Sequence, residues 1–369
     1  MNQSTQHMSC NKIYLLISFL MVTSWLKGQL LSEEIKRHET FYVLPSSTLE
    51  VNNKYGNIHF STWEKDSVDI AISFFISEKN EVKFKKIKDN VNFKITGNSA
   101  YMVAETVFGS KYGSFIKNIK EATNLQIPDN SRTRIDYFIK VPAHINLKVN
   151  NRYGNIFIPD FNGNLNIDLS NGDFQAKRIN GNNHLKLAFG NVLIESMKQS
   201  TIDLNFSTTN ISEGGQLDIN SKSSEVKIAQ CDLIKLQSKR DKYTINQLDY
   251  LFGETYFSNL SVSQLNKEFN MVMQYGALKR LNISPTFKLI KVNSKYANCT
   301  IEIDNPSAYK CSIMASKGSI DLPKALNSST SNWQNKIETE AITFNYKSST
   351  AKEKVQVNIS DASFKLSHK

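Results

Sequence analysis

Cysteine, proline and glycine are all scarce in this sequence. Its 369 residues include 4 Cys, 7 Pro and 15 Gly. So few cysteines exclude a disulfide-held scaffold, and so few prolines exclude a Pro-rich stalk. A hydrophobic content of 40% excludes a wholly disordered or collagen-like chain. We therefore expect a folded protein, with one long domain or two ordinary ones.

Long apolar runs are also missing, apart from one near the N-terminus. Lys12 precedes an apolar stretch at residues 13–22, and a polar end follows near Gly28. This order is typical of a secretory signal peptide, and the stretch is shorter than the roughly 20 residues that span a bilayer. We expect export to the periplasm, the cell surface or the exterior, with no stable membrane span after cleavage. An uncleaved signal anchor is the alternative.

Basic residues outnumber acidic ones, 45 to 34, for a formal net charge of +11. The densest cluster is Lys83, Lys85, Lys86 and Lys88. Its alternation with Val82, Phe84 and Ile87 predicts one polar face of a strand, and a polyanion site is the alternative. The sequence carries no nucleic-acid-binding signature beside this charge, so we expect no nucleic-acid partner.

Three cysteines follow the predicted signal peptide: Cys231, Cys299 and Cys311. Cys299 and Cys311 either pair across neighbouring strands or remain buried thiols, and the sequence leaves both possibilities open.

Asparagine is the abundant residue, with 40 in the chain, and it accompanies a repeat. Residues 49–60 and 147–158 are identical at eight of twelve positions and share the phrase Tyr-Gly-Asn-Ile. Glycine and asparagine tolerate positive φ, so the repeat unit predicts a strand, a tight turn and a second strand. The predicted turn residues are Tyr55, Gly56, Tyr153, Gly154, Gly172, Gly190, Tyr275, Gly276, Tyr296 and Gly318.

The spacing of these turns predicts the fold class. Gly154, Gly172 and Gly190 recur at a constant interval of 18, while Gly276 and Gly318 lie two intervals of 21 apart. A period of about 18–21 residues predicts an all-β, single-stranded β-solenoid of the right-handed parallel β-helix type. Alternation within the repeats predicts one buried strand face. The residues predicted to be buried on it include Leu165, Ile167, Leu169, Ile202, Leu204, Phe206, Leu217, Ile219, Val226 and Ile228.

Four segments are expected along the chain. They are a signal peptide (1–28), an N-terminal β-rich cap with a first repeat-like coil (29–140), the solenoid (141–325) and C-terminal strands with a final coil or cap (326–369). Within the caps we predict strands at 68–76, 91–95, 135–141, 341–346 and 355–359, a loop or short helix at 112–124, and a loop at 328–332. Between Ser207 and Phe257, polar residues replace the turn glycines, so we expect less regular coils there.

Two features of the repeats have alternative explanations. Tyr55, Tyr153, Tyr275 and Tyr296 form either aromatic stacks or an exposed stripe. Asparagines at equivalent places either form side-chain ladders between coils or simply face solvent.

Catalytic and metal-binding patterns are weak. Asp168, Asp173, Asp203 and Asp218 alternate with apolar residues, as solvated strand faces do. His38, His59, His144, His184 and His368 are scattered without metal-ligand spacing. Ser-x-x-Lys occurs at Ser114 and at Ser307, but without its companion motifs. We expect no enzyme activity, no cofactor and no metal.

The phrases at residues 53–63 and 139–156, followed by serial Asn-Gly-Asp-like turns, resemble the putative adhesin family of exported bacterial β-strand-repeat proteins. The resemblance covers about residues 40–366 and implies a noncatalytic, exported β-solenoid. A cell-envelope glycan or protein is the expected partner. Two alternatives remain: a periplasmic or envelope-stress scaffold that acts through protein partners, and a polysaccharide-degrading β-helix enzyme.

Overall fold

The computed structural model describes residues 30–109, 133–323 and 340–369. The predicted signal peptide at 1–28, the loop or helix at 112–124 and the loop at 328–332 lie outside these ranges. The Ser-x-x-Lys sequence that begins at Ser114 also lies outside them.

The described residues form an all-β structure with one helix. The strands are β1 (Leu31–Tyr42), β2 (Thr48–Lys54), β3 (Ile58–Thr62), β4 (Ser67–Glu78), β5 (Val91–Gly97), β6 (Tyr101–Phe108), β7 (Thr133–Val141), β8 (Asn146–Arg152), β9 (Ile156–Ile158), β10 (Leu165–Ser170), β11 (Phe174–Ala188), β12 (Asn191–Asn205), β13 (Thr208–Lys222), β14 (Glu225–Lys239), β15 (Lys242–Ile283), β16 (Leu289–Ile303), β17 (Tyr309–Ser316), β18 (Ser319–Asp321), β19 (Glu340–Tyr346), β20 (Lys354–Ser360) and β21 (Ser363–His368). The helix, α1, is Glu81–Asn90. No helix in the described ranges has the length and apolar character that crossing a bilayer requires.

The internal contacts divide the chain into two units. The described part of unit 1 consists of residues 30–35, 74–92, 108–109 and 133–134. The described part of unit 2 consists of residues 36–73, 93–107, 135–323 and 340–369.

The lysine cluster of unit 1 lies on helix α1, so the predicted strand is wrong. Asn80 caps the helix, since its side-chain oxygen accepts a hydrogen bond from the Lys83 backbone N–H at 3.0 Å. Glu81 in the first turn suits the positive end of the helix dipole. These local signals outweigh the alternation of Val82 and Phe84, and only Ile87 of the helix is buried.

Most strands of unit 2 belong to a large mixed sheet in which neighbouring repeats pair in parallel. Leu165 pairs with Asn183 of the following repeat, and Asn191 pairs in the same way with Thr208. The alternation predicted from the sequence is present, because Leu165, Ile167 and Leu169 are buried. The apolar face of one repeat therefore packs beside that of the next.

Two predictions for unit 2 are wrong. The repeats between Ser207 and Phe257 are regular, since β12 to β15 pair in order with no register shift. The shifts occur elsewhere, after Ile179 and after Leu278. Phe206, predicted to be buried, is 51% exposed because the chain turns outward at that residue with a φ of 52°.

The C-terminal strands do not simply add one more repeat at the end. Strand β20 pairs in parallel with β16 on one side and with β17 on the other. Strand β21 likewise pairs with β16 and β18. Strand β19 pairs antiparallel with β17. The segment 354–368 therefore lies between two repeats that precede it in the sequence.

Candidate functional site

One residue of each repeat in unit 2 turns the chain through positive φ, and these residues lie side by side. In spatial order they are Tyr55, Tyr153, Asn171, Phe189, Phe206, Ser223, Arg240, Phe257, Tyr275, Tyr296, Asp361 and Lys317. We call this set the turn column. Its φ angles lie between 51° and 68°, a region that costs a non-glycine residue roughly 1–2 kcal/mol.

Hydrogen bonds between neighbouring repeats hold this strained backbone in place. The N–H of Tyr153 donates to the Ser170 carbonyl at 3.0 Å, and the N–H of Phe206 donates to the Lys222 carbonyl at 3.0 Å. The N–H of Arg240 forms the equivalent bond, and the pattern recurs along the column. Such strain persists only where the surrounding structure determines the backbone, as it does here.

The predicted turn glycines have a different role from the one that the sequence suggested. They are Gly56, Gly154, Gly172, Gly190, Gly276 and Gly318, and each follows a turn-column residue. Of these six, only Gly276 has a positive φ. A Cβ on Gly172 would overlap the carbonyl oxygen of Gly154 and lie 2.7 Å from its carbonyl carbon. At the other five positions glycine is required because neighbouring backbones approach closely, rather than for its φ range.

Polar residues occupy the same place in the middle of unit 2. We call all the residues that follow the turn column the second column: Gly56, Gly154, Gly172, Gly190, Ser207, Ser224, Asp241, Ser258, Gly276, Ala297, Ala362 and Gly318. The N–H of Ser207 donates to Ser224 Oγ at 3.2 Å, and the N–H of Ser224 donates to Asp241 Oδ1 at 2.6 Å. The N–H of Asp241 donates to Ser258 Oγ at 3.1 Å. These side-chain bonds keep the repeats regular without glycine.

The tyrosines of the turn column are both stacked and exposed. Tyr55 stacks on Tyr153 with 5.4 Å between ring centroids, and Tyr275 stacks on Tyr296 with 5.0 Å. Tyr153 and Tyr296 are exposed at the same time. The two explanations offered by the sequence therefore hold together.

Three phenylalanines also belong to the turn column, and the sequence analysis did not identify them as turn residues. Phe189 stacks on Phe206 with 5.1 Å between ring centroids, and Phe257 stacks on Tyr275 with 4.7 Å. Phe189 is 54% exposed, although phenylalanine is usually buried. A signal was present, because residues 189, 206, 223, 240 and 257 are spaced by 17. None of these five positions carries a Tyr-Gly phrase, so the phrase does not reveal the spacing.

Lysines lie beside the aromatic rings. Lys54 Nζ is 4.6 Å from the Tyr55 ring centroid, and Lys295 Nζ is 5.4 Å from that of Tyr296. These distances allow cation–π attraction, worth about 0.5–1 kcal/mol at exposed sites. The rim of the column is therefore basic as well as aromatic.

Asparagine and aspartate ladders run alongside the column. Asn57 Oδ1 accepts from the N–H of Asn155, and Asn155 Oδ1 accepts from the N–H of Asp173, both at 2.8 Å. Further from the turn, Asn164 Nδ2 donates to Asn146 Oδ1 at 3.0 Å. Much of the asparagine therefore joins repeat to repeat.

The remaining candidate residues that the structure describes make separate contacts. Within the described ranges, no group of three or more His, Cys, Asp or Glu side chains could hold a metal ion. Of the aspartates singled out by sequence, Asp173 accepts from the N–H of Asn191 and Asp203 accepts from Asn220 Nδ2. Ser307 Oγ donates to the carbonyl of Pro285.

The histidines singled out by sequence have separate surroundings. His38 Nε2 lies 2.5 Å from Asp69 Oδ1, and His368 Nε2 lies 2.6 Å from the Tyr309 hydroxyl. His59 stacks between Phe138 and Phe157. The remaining two, His144 and His184, are exposed.

The three described cysteines are buried free thiols. Burial raises the pKa of Cys231 and of Cys311 to about 12, and it raises the pKa of Cys299 as well. These thiols are therefore protonated at neutral pH and are poor nucleophiles.

Solved structures offer distant likenesses. A putative cell adhesion protein of Clostridium sporogenes is 12% identical, with 91% of this chain and 100% of that chain covered, at a TM-score of 0.20. A putative adhesin of Bacteroides fragilis is 7% identical, with 91% and 97% covered, at a TM-score of 0.25. A putative lipid binding protein of Parabacteroides distasonis is 8% identical, with 92% and 97% covered, at a TM-score of 0.25.

Likeness at these TM-scores carries no argument about function. No family model matches the chain, and no curated protein is significantly similar to it.

Proposed function

We propose that unit 2 is a β-solenoid and that the chain is an exported, noncatalytic, adhesin-like protein that binds glycan at the bacterial cell envelope. The solenoid is supported by the parallel pairing of each repeat with the next, as between Asn191 and Thr208 or between Glu268 and Leu289. Each repeat is then one coil, whose apolar face is buried by its neighbours. Export rests on the signal-peptide pattern of the sequence.

The observation that carries the binding role is the row of exposed, strained aromatic rings. Phe189 and Phe206 are about half exposed, although burying them would be favourable. Both also occupy positive φ, which is uncommon for bulky residues and concentrates at functional sites. The stacked rings cover each other's inner faces, but the outer face of Phe206, at the end of its stack, can attract the C–H groups on one face of a sugar. The ends of the ring stacks therefore suit sugar residues.

The surroundings of the reactive groups support a noncatalytic role. The buried thiols of Cys231 and Cys311 have raised pKa values, and Asp173 and Asp203 are engaged in hydrogen bonds between repeats. The column instead presents flat rings with lysines beside them, which favours binding over bond cleavage.

The test is glycan binding by the purified chain, measured on a glycan array and then by isothermal titration calorimetry. We expect the Phe189→Ala, Phe206→Ala double variant to bind at least about tenfold more weakly, because each lost stack is worth roughly 1 kcal/mol. Tyr42→Ala is the matched control, since Tyr42 is 66% exposed and lies outside the turn column. Thermal unfolding verifies that both variants are folded. Absence of glycan binding, or equal binding by the double variant, would show that the proposal is wrong.

A further inference from the structure

The aromatic rings of the turn column are interrupted for two repeats. Between Phe206 and Phe257 the column residues are Ser223 and Arg240. Adjacent strands are about 4.8 Å apart, so the two phenylalanines are separated by roughly 14 Å, three strand spacings. A cavity of about 560 Å³ opens at this interruption, which we call the column gap.

Both phenylalanines turn one ring face toward the column gap. Phe206 stacks on Phe189 of the preceding repeat, with an interplanar angle of 4°. Phe257 stacks on Tyr275 of the following repeat, with an angle of 15°, and meets Tyr256 edge-on. On the gap side, no ring of the described residues stacks on either phenylalanine. The gap therefore has the width of two missing layers between two aromatic walls.

The charged group in the column gap that has no partner is positive. Arg240 is exposed, and its guanidinium forms no hydrogen bond, ion pair or ring contact with another residue of the described ranges. The two carboxylates that line the gap already have ion-pair or hydrogen-bond partners. Glu225 pairs with Lys242 at 3.1 Å and with Lys227 at 3.4 Å, and the buried Asp241 accepts hydrogen bonds from neighbouring serines. A ligand with a negative charge would find Arg240 available.

The rest of the gap lining is polar and suits hydroxyl groups. Thr208, Ser223 and Asn259 line it and are exposed or half-exposed. Their hydroxyl and amide groups can both donate and accept hydrogen bonds. A sugar ring carries several hydroxyls that need such partners, more than an aromatic side chain of a peptide carries. The lining therefore favours a sugar over a peptide.

We propose that the column gap binds one acidic sugar of a glycan, a hexuronate, whose ring stacks on Phe206 at the level of Ser223. Its carboxylate pairs with Arg240, whose planar guanidinium can donate two parallel hydrogen bonds to it. The sugar and the guanidinium then fill the two missing layers between Phe206 and Phe257. This inference rests on the proposed function and specifies the class of glycan.

The experiment compares an oligogalacturonate with its methyl ester, in which each carboxylate carries a methyl group and has no negative charge. We expect the purified chain to bind the acid at least about tenfold more tightly than the ester, measured by isothermal titration calorimetry. Arg240→Gln should abolish this preference. Ser223→Phe should weaken binding of the acid at least about tenfold by filling the gap. Lys317→Gln is the matched control, because Lys317 is a basic turn-column residue outside the gap.

The other outcomes separate this inference from the proposed function. Equal binding of acid and ester, or a preference retained by Arg240→Gln, would overturn the hexuronate site while glycan binding stands. Binding of neutral glycans alone would do the same. Failure to bind any glycan would overturn both proposals. Tighter binding of an acidic tyrosine peptide that competes with the oligogalacturonate would assign the gap to a peptide. Circular dichroism verifies the fold of Ser223→Phe, and Arg240→Gln tests the site independently of that variant.

Discussion

Two stretches of the second column join neighbouring repeats by different means. From Gly56 to Gly190 the column is glycine, and the backbones come so close that a Cβ would overlap the preceding carbonyl. From Ser207 to Ser258 the residues have side chains, and the oxygens of Ser224, Asp241 and Ser258 accept hydrogen bonds from the backbone of the adjacent repeat. Parallel pairing continues through both stretches, with one register shift after Ile179 in the first. One backbone turn can thus be held either by the absence of a side chain or by a polar one.

The two stretches should respond differently to substitution. The glycine stretch has no room for an added Cβ, and its side-chain hydrogen bonds come from residues outside the second column, such as Asn57 and Asn155. The serine stretch accepts a Cβ but depends on particular oxygen atoms, above all those of Asp241. Four predictions test this difference, beginning with the largest expected effect.

Gly172→Ala should lower the free energy of unfolding by about 4 kcal/mol, because the added Cβ meets the Gly154 backbone, which cannot move aside cheaply. The control is Ser207→Ala, at the equivalent place, which should cost only about 1 kcal/mol for its lost hydroxyl bonds. Urea unfolding measures both. Equal losses would show that the two stretches are not distinct.

Asp241→Ala should lower the free energy of unfolding by about 3 kcal/mol, because it leaves buried hydrogen-bond donors without an acceptor. The carboxylate accepts from the hydroxyls of Ser221 and Ser238 at 2.7 Å each and from the N–H of Ser224 at 2.6 Å. The exposed Asp218→Ala is the control and should change stability by less than about 0.5 kcal/mol. A similar effect for the two variants in urea unfolding would contradict the assigned role of Asp241.

The turn column is strained in both stretches, and glycine should relieve that strain. Ser223→Gly should raise the free energy of unfolding by about 1 kcal/mol, because glycine adopts a φ of 54° without a Cβ clash. Phe206→Gly should raise the free energy of unfolding by less, because this variant also loses the stack on Phe189. Guanidinium chloride unfolding ranks the two variants, and the reverse order would argue against a stabilising stack.

The smallest effect is a dependence on pH in the glycine stretch. Burial lowers the pKa of His59, which stacks on Phe138 and Phe157, and Asp136 partly opposes this shift. Between the lowered pKa of His59 and the ordinary histidine pKa, the folded chain therefore binds fewer protons than the unfolded chain. Its stability should be constant above the ordinary histidine pKa of about 6.5 and fall as the pH drops through that value.

His59→Phe is the variant for this test, because it keeps an aromatic ring in the stack but cannot be protonated. Amide hydrogen exchange should show the acid-dependent loss in the wild type, near His59, and a smaller loss in the variant. An identical pH profile in the two proteins would remove His59 as the cause.

Sequence alone predicted the repeat and the buried face of its strands, because strict alternation such as that of Leu165, Ile167 and Leu169 is a local signal. Alternation failed at Phe206, where a positive φ turns the side chain outward. It failed again at Phe84, where the Asn80 cap favours a helix. Backbone conformation at single residues decided both cases.

The candidate site was only partly predictable. Tyr55 and Tyr153 stand in a phrase that recurs almost unchanged, so they could be found. Ser223 and Arg240 share no residue type with them, so only the 17-residue spacing marks their place in the sequence, and the pairing of β13, β14 and β15 shows it. The column gap is defined by the residues on either side of it, and residues that are neighbours in this column lie a whole repeat apart in the sequence.

The position of strands β20 and β21 has a consequence for the order of synthesis. Strand β17 follows β16 in the chain, yet its parallel neighbour is β20, which the ribosome makes only after β18 and β19. Strands β17 and β18 therefore stay unpaired on that side until residues 354–360 and 363–365 have been made. This end of the molecule closes last, and a protease that meets the chain before then would find it open.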